Sequence, residues 1–155
     1  MNKEYLNIYN NLVKLTRNKN LYLILKKNDT FSDRLILLLL HLSFFLKEYK
    51  KTHPKEYMQD IFDFIIKQIE LSIRETGYGD VTINKKMKEY VNLLFTIIDQ
   101  IENWDKLEIA LKKQIFINLF EFKKNGDYLY TYFMNFSQFL KKNSLNRFTK
   151  DIINL

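Results

Sequence analysis

Glycine and proline are nearly absent from this chain, whose 155 residues include three glycines and one proline. β-Sandwiches and barrels need these residues at their hairpins and bulges, so a turn-rich all-β fold is excluded. Hydrophobic residues make up 46% of the sequence, far from the composition of disordered chains. A chain of this length can bury most of its surface in one core. The sequence therefore predicts a single all-α domain over residues 1–155, built as a compact helical bundle.

Several chemistries are excluded by what the sequence lacks. There is no cysteine, and histidine occurs only at His41 and His53. Disulfides, thiolate nucleophiles and cysteine-based metal sites are therefore excluded, and two histidines leave little room for an imidazole metal site. The spacings of zinc proteases, nucleophile elbows and phosphate-binding loops are also missing. We expect no enzyme, no catalytic residue, no metal, no cofactor and no small-molecule substrate.

The net charge of +7 comes from 25 basic and 18 acidic residues. Lysine is abundant together with asparagine and isoleucine, as an A+T-rich coding sequence favours, so the charge alone does not identify a partner. Arginine is scarce, and an arginine kept against this bias is expected where its planar guanidinium is needed. The arginines are Arg17, Arg34, Arg74 and Arg147.

Apolar periodicity predicts about seven helices joined by short connections. Thr30 and Asp33 have capping-box spacing, Pro54 suits the first turn of a helix, and Gly77 suits a left-handed C-terminal position. The first three predicted helices span 3–16, 21–25 and 31–50, and the fourth lies between Pro54 and Gly77. The fifth spans 83–101 and the seventh spans 127–142. The sixth starts with the box-like pair Asp105 and Glu108 and ends before the break at Asn125-Gly126. The sixth helix would bury Leu107, Leu111, Ile115 and Leu119, and the tail, 145–155, allows one more short helix.

The third helix is apolar on two sides. Such a helix is central or faces a partner. Its apolar run is 12 residues long, from Leu35 to Leu46, and too short to span hydrocarbon. The N-terminus has no secretory h-region. We therefore expect a cytoplasmic protein, with a peripheral position on the inner face of the cytoplasmic membrane as a further option.

The segment 72–81 carries two of the three glycines together with Arg74. Helix ends explain Gly77 and Gly79, and Asp80 or Thr82 would cap the next helix. Capping does not explain the three lysines that follow, because the helix dipole disfavours cations in first turns. Either the lysine bias or an anionic partner accounts for them, and we favour the partner. These lysines are Lys85, Lys86 and Lys88.

The run Arg74-Glu75-Thr76-Gly77-Tyr78-Gly79-Asp80, followed by Lys85-Lys86-Met87-Lys88, resembles the signature block of the ubiquinol-cytochrome c chaperone family. That family assembles cytochrome b of the bc1 respiratory complex. A second resemblance lies in Asp29-Thr30 with Arg34, followed by Leu40-His41-Leu42. The likeness extends from about Tyr22 to Leu140. Leu94-Phe95-Thr96 and Ile117-Asn118 stand where the family often has a Tyr-Gly-Arg-like step and an Arg-Asn pair.

This resemblance implies a non-enzymatic, bacterial-type chaperone that binds newly made cytochrome b, or another bc1-complex component, during biogenesis. The ribosome and an anionic membrane surface are further partners, because the scattered lysines would attract ribosomal RNA or an anionic inner leaflet. For His41 a hydrogen-bonded place in the core is the alternative. The expected partner-binding residues are Arg34, His41, Arg74, Glu75, Gly77, Gly79, Asp80 and Lys85, with apolar contact from Ile36, Leu37, Leu40 and Phe44.

Two other interpretations remain open at this point. The first is a small basic helical module that binds RNA or the ribosome, which requires one contiguous basic face. The second is an oligomer, whose seam would be marked by Tyr130 and Met134 on the seventh helix. The RNA-binding lysines would be Lys85, Lys86, Lys88, Lys112, Lys113, Lys123 and Lys124.

Overall fold

Helices make up most of the structure, a computed structural model that describes residues 3–26, 30–123 and 126–150. Within these ranges the only β pairing outside the helices is an isolated bridge. The predicted all-α class is confirmed. The helices are α1 (Lys3–Thr16), α2 (Asn20–Leu23), α3 (Phe31–Tyr49), α4 (Lys55–Arg74), α5 (Asp80–Ile101), a 3₁₀-helix (Trp104–Lys106), α6 (Ile109–Leu119), α7 (Asp127–Lys142) and α8 (Asn146–Thr149).

Some residues used in the predictions lie outside the described residues, so the structure does not test the predictions made for them. They are Asp29, Lys124, Asn125 and the end of the tail, 151–155.

Helix α3 is the central element of the bundle. It packs against α1, α5 and α7, so each of its sides meets another helix. Residues on both apolar sides are buried, including Leu37, Leu39 and Phe45. Its all-round apolar character is therefore explained by its central place. The hydroxyl of Thr30 accepts a hydrogen bond from the Asp33 N–H at 3.1 Å, as the predicted cap requires.

The start of α4 agrees closely with the sequence prediction. Pro54 is the residue before the first helical position rather than a residue of the first turn. Its carbonyl accepts the first helical hydrogen bond, from the Met58 N–H at 3.1 Å. Because Pro54 has no N–H, residue 54 itself adds no unpaired backbone donor at the start of the helix.

A cluster of aromatic rings joins α3, the 3₁₀-helix, α6 and α7. Phe133 of α7 stacks on Phe44 of α3, with ring centroids 5.3 Å apart, and on Phe116 of α6 at 5.5 Å. The Trp104 ring meets Phe44 edge-on at 5.0 Å. Offset and edge-on pairs of this kind add to the free energy gained by burying the rings. The cluster fixes the C-terminal helices on the central one.

The predicted start of the sixth helix is wrong. A 3₁₀-helix occupies that segment, and α6 begins at Ile109. The Asp105 carboxylate caps nothing; it contacts the Lys141 ammonium and lies 3.9 Å from that of Lys47. The predicted inner stripe is also shifted, because Leu111 is exposed while the neighbouring Lys112 is buried.

The two ends of the described chain meet. The Asn11 side chain of α1 donates a hydrogen bond to the Phe148 carbonyl of α8 at 2.9 Å, and Asn7 donates to the Thr149 carbonyl at 2.9 Å. The predicted tail helix is confirmed as α8 within the described residues.

None of the helices in residues 3–26, 30–123 and 126–150 has the length and apolar character that a membrane crossing requires.

Candidate functional site

The turn between α4 and α5 reverses the chain in a few residues. Gly77 has φ +92°, in the left-handed region that favours glycine. Its N–H donates to the Arg74 carbonyl at 3.0 Å, which closes the last turn of α4. Gly79 then caps α5, and its carbonyl accepts from the Ile83 N–H at 3.0 Å. The predicted cap at Asp80 or Thr82 is therefore wrong, and α5 starts three residues before the predicted Ile83.

An ionic bridge joins the two helices across this turn. One guanidinium nitrogen of Arg74 lies 2.7 Å from the Asp80 carboxylate, and the other lies 3.0 Å from Glu70. Lys67 also contacts Glu70, at 3.2 Å. The hydrogen bond that Arg74 donates to Asp80, and then the one that it donates to Glu70, raises the pKa of Arg74. The hydrogen bond from Arg74, and then that from Lys67, lowers the pKa of Glu70. The Arg74 guanidinium and the Glu70 carboxylate are therefore both charged near neutral pH.

The bridge lies at the surface. The Arg74 side chain is 40% exposed and that of Asp80 is 82% exposed. Asp80 occupies the first turn of α5, where a carboxylate complements the helix dipole. The Arg74 guanidinium is therefore both held in place by two carboxylates and accessible to a partner.

Exposed apolar side chains accompany these charges. Leu71, Tyr78 and Val81 are exposed, and Val81 is 85% exposed. The Lys86 ammonium lies 4.8 Å from the centre of the Tyr78 ring, within reach of a cation–π contact. We call these three apolar residues, with Arg74 and Asp80, the turn surface. Apolar side chains grouped with charged ones in this way are typical of interaction sites.

The remaining predicted site residues separate into groups. Glu75 and Lys85 are exposed beside the turn surface. Arg34 lies in the first turn of α3 and lines a pocket that also reaches Ser72, two residues before Arg74. The structure therefore brings the α4–α5 residues together and places Arg34 in a neighbouring feature.

His41 occupies the core, as the alternative interpretation has it. It is fully buried, its Nδ1 lies 2.7 Å from the Leu37 carbonyl, and its Nε2 lies 2.7 Å from the Tyr132 hydroxyl. Burial lowers the pKa of His41 to about 4. No partner can reach it in this conformation.

The predicted apolar contacts lie mostly inside the protein. Leu37, Leu40 and Phe44 are buried, whereas Ile36 is partly exposed. In this conformation only Ile36 remains accessible to a partner. The others would contact one only if α3 separated from its neighbours.

The lysines of the RNA-binding interpretation are not equally accessible. Lys112 is buried, with its ammonium 5.1 Å from the centre of the Trp104 ring and 3.6 Å from the sulfur of Met134. Lys113 pairs with Asp127 at 3.1 Å. The fold itself therefore engages two of these lysines.

The residues of the proposed oligomer seam also pack within the fold. Tyr130 and Met134 are partly buried against the core. The Lys113 ammonium lies 5.5 Å from the centre of the Tyr130 ring.

Sequence reasoning missed Arg17. It lines the same pocket as Arg34, beside residues of α1, α3 and α4. The scarcity of arginine was the available signal, but the sequence alone did not indicate that residues 17 positions apart would share a pocket.

The comparisons with known proteins bear on this arrangement. A family model for the ubiquinol-cytochrome C chaperone matches residues 24–146. This chain belongs to the ubiquinol-cytochrome c chaperone family. Membership implies a chaperone for assembly of ubiquinol-cytochrome c reductase rather than an enzyme, and every predicted site residue lies within the matched range.

The fold of this family member is similar to that of a solved structure. The crystal structure of the Cbp3 homolog from Brucella abortus matches it with a TM-score of 0.79 and 24% sequence identity. The match covers 98% of this chain and 88% of that one, so the likeness extends over the whole helical arrangement. A search of curated proteins finds no match.

Proposed function

We propose that this chaperone binds newly made cytochrome b during biogenesis of the bc1 complex, and that the turn surface contacts it. Family membership supports the assembly role. The observation that supports the location is the exposed guanidinium of Arg74, fixed by Glu70 and Asp80 beside exposed Leu71, Tyr78 and Val81. A nascent membrane protein presents apolar segments with polar ends, and this surface offers both kinds of contact.

The ionic bridge gives the surface a fixed shape. Because two carboxylates hold Arg74, its side chain loses less conformational freedom on binding than a free arginine would. The contacts of Arg74 with Glu70 and Asp80 also tie α4 to α5, so the apolar side chains on either side of the turn keep their relative positions. Preorganisation of this kind lowers the entropy cost of binding a partner.

The first prediction concerns Arg74→Ala. In cells whose only copy of the protein carries this change, we expect less assembled cytochrome b, measured by immunoblot and by haem absorbance of membranes. The purified variant should keep a melting temperature close to that of the wild type, because exposed ion pairs contribute little to stability.

Lys67→Ala is the matched control, because Lys67 also pairs with Glu70 but does not bridge to α5. It should leave the cytochrome b level unchanged. Two results would contradict the proposal: a normal cytochrome b level with Arg74→Ala, or a large loss of stability, which would make the bridge a structural feature. Affinity purification from gently solubilised membranes tests the client directly, since cytochrome b should be enriched over unrelated polytopic proteins.

A further inference from the structure

A groove with a volume of about 200 Å³ lies where the end of α3, the start of α4 and the second half of α5 meet. We call it the aromatic groove, because Phe62 of α4 and Phe95 of α5 line it. It is separate from the turn surface: Asp80 and Phe95 are roughly 20 Å apart along the axis of α5.

The floor of the aromatic groove is apolar and ordered. The Phe95 side chain is 50% exposed, and its ring stacks on that of Phe62 with the centroids 5.8 Å apart. Met58 and Ile98 lie beside the two rings. Because Phe62 holds the exposed ring, an incoming side chain meets a surface that loses little freedom on binding. The volume is below the ~300–1,000 Å³ of sites for drug-sized ligands, so the groove suits one large apolar side chain.

The rim of the aromatic groove is basic. Three lysines line it, and none of its described lining residues carries a carboxylate. Lys50 is neutralised by Glu102 at 2.9 Å. Lys55 is exposed, and within the described residues its side chain has neither an ion pair nor a hydrogen bond. It is also the first residue of α4, where no side chain caps the helix and the dipole is positive. A carboxylate is therefore the group that Lys55 would attract.

The third lysine adds to this positive charge. The Lys47 side chain is 6% exposed, and its ammonium lies 3.9 Å from the Asp105 carboxylate, which is longer than a hydrogen bond. Asp105 also contacts Lys141, so two ammonium groups share one carboxylate. Burial, and then repulsion from Lys51, lowers the pKa of Lys47. An additional carboxylate near Lys47 would stabilise its charged form.

The Gln59 side chain on the rim favours a peptide over a lipid. One of its N–H groups donates to Asp63 at 2.9 Å. Its amide oxygen and second N–H have no partner within the described residues. An extended peptide backbone presents an N–H and a C=O that such an amide can pair with, whereas a hydrocarbon chain has neither. A peptide therefore regains hydrogen bonds here that it loses on leaving water.

We propose that the aromatic groove binds an extended acidic segment of a partner protein. A phenylalanine or leucine side chain of that segment lies against Phe62 and Phe95, and a neighbouring carboxylate lies at Lys55. This inference does not depend on cytochrome b being the client, because it rests on a different set of residues from the turn surface.

The test is fluorescence polarisation of the purified full chain with the fluorescein-labelled peptide Ser-Gly-Asp-Glu-Phe-Asp-Leu-Gly-Ser. We expect saturable binding at one site. Phe95→Ala and Lys55→Gln should each weaken binding about tenfold, as expected for loss of an apolar contact or of a charge-assisted hydrogen bond.

Matched variants control for the substitutions themselves. Phe31→Ala and Lys19→Gln make the same changes at an exposed phenylalanine and an exposed lysine that do not line this groove, so both should leave the affinity unchanged. Folding of each variant is checked by its melting temperature. Amide chemical-shift changes in the wild type should include Lys55 and Phe95, which locates the peptide without any substitution.

Peptide controls separate the two halves of the proposal. One peptide has asparagine and glutamine in place of its acidic residues, and another has serine in place of phenylalanine and leucine. Each should bind about tenfold more weakly than the original peptide or not at all. Raising the salt concentration should weaken binding of the acidic peptide, because part of its affinity comes from charge.

Several outcomes would overturn the proposal. They are no saturable binding of the acidic peptide, equal affinity for the uncharged peptide, equal loss of affinity in Phe95→Ala and Phe31→Ala, or shift changes confined to other surfaces. Tighter binding of decanoate that displaces the peptide would assign the groove to an amphiphile instead. A dimer in sedimentation experiments that Phe95→Ala abolishes would assign it to a second copy of this chain.

Discussion

At the scale of single residues, His41 shows how the core satisfies a polar side chain. A carbonyl oxygen can only accept a hydrogen bond, so the Nδ1 that faces Leu37 carries the hydrogen and the Nε2 accepts from the Tyr132 hydroxyl. The imidazole is therefore neutral, with both nitrogens paired. The rings of Phe133 and Phe136 lie 5.0 Å from it and keep water away. Protonation would put an unpaired charge in this apolar surrounding.

This buried imidazole predicts a loss of stability in mild acid. The pKa of His41 is about 4 in the folded protein, against 6.5 for an unperturbed histidine. Between these values the unfolded chain binds more protons, so the stabilisation is present above pH 6.5 and is lost as the pH falls toward 4. The expected contribution of His41 is about 3 kcal/mol. Urea unfolding at several pH values between 7 and 4.5 measures it.

Two variants assign the effect to His41. His41→Gln removes the titrating group and should flatten the pH dependence of the free energy of unfolding over this range. His53→Gln makes the same substitution at the other histidine, which is partly exposed, and is the matched control for the change from histidine to glutamine. Parallel curves for the wild type and His41→Gln would contradict the prediction.

At the scale of elements, the α4–α5 turn depends on one backbone conformation. Gly77 has φ +92°, whereas Gly79 has φ −71°, a value that any residue adopts. A Cβ atom added at either position would meet no heavy atom within 4 Å. The two glycines therefore differ in backbone strain and not in space.

We expect Gly77→Ala to lower the free energy of unfolding by about 1–2 kcal/mol, because an L-residue is strained at positive φ. Gly79→Ala is the matched control two residues away and should change it by less than about 0.5 kcal/mol. Chemical denaturation measures both. If the two variants lost the same stability, the left-handed conformation of Gly77 would not be what the turn requires.

Elements that local signals define could be predicted from the sequence. The Thr30 cap and the Gly77 turn depend on residues a few positions apart, and both were predicted. The start of α6 was not, because Asp105 contacts Lys47 and Lys141, which are distant in the sequence. No local pattern separates a capping carboxylate from one that pairs at long range.

The candidate site shows the same limit. The charged turn could be predicted because its glycines and Arg74 are close in sequence. The accessibility of Leu37, Leu40 and Phe44 could not, since a helix that is apolar all round does not indicate which side a neighbouring helix covers. The structure shows that helices cover these three.

At the scale of the whole molecule, the family range and the folded structure differ at their ends. Residues 24–146 exclude α1, α2 and most of α8. These elements are nevertheless part of the core: α1 packs on α3, α4 and α8, and Leu12 and Phe148 are fully buried. The two terminal helices therefore stabilise the central helix, on which α5 also packs.

Phe148→Ala tests how much the chain ends contribute. The Phe148 ring lies 5.1 Å from that of Phe45 and 6.1 Å from that of Tyr49, both on α3. Its removal should leave a cavity and lower the free energy of unfolding by about 3–5 kcal/mol, a large part of the ~5–15 kcal/mol of a typical domain. Urea unfolding followed by circular dichroism and by Trp104 fluorescence measures this.

Arg147→Ala is the matched control, because its side chain is exposed on the same short helix, and it should change the free energy of unfolding by less than about 0.5 kcal/mol. A loss of less than about 1 kcal/mol for Phe148→Ala would mean that α8 is dispensable for the core.

The same unfolding curves test the predicted single domain. Coincident transitions by circular dichroism and by Trp104 fluorescence would agree with it, since Trp104 lies far from α8 in sequence and reports on the aromatic cluster. Separate transitions would instead mean that the chain ends unfold independently of the central helices.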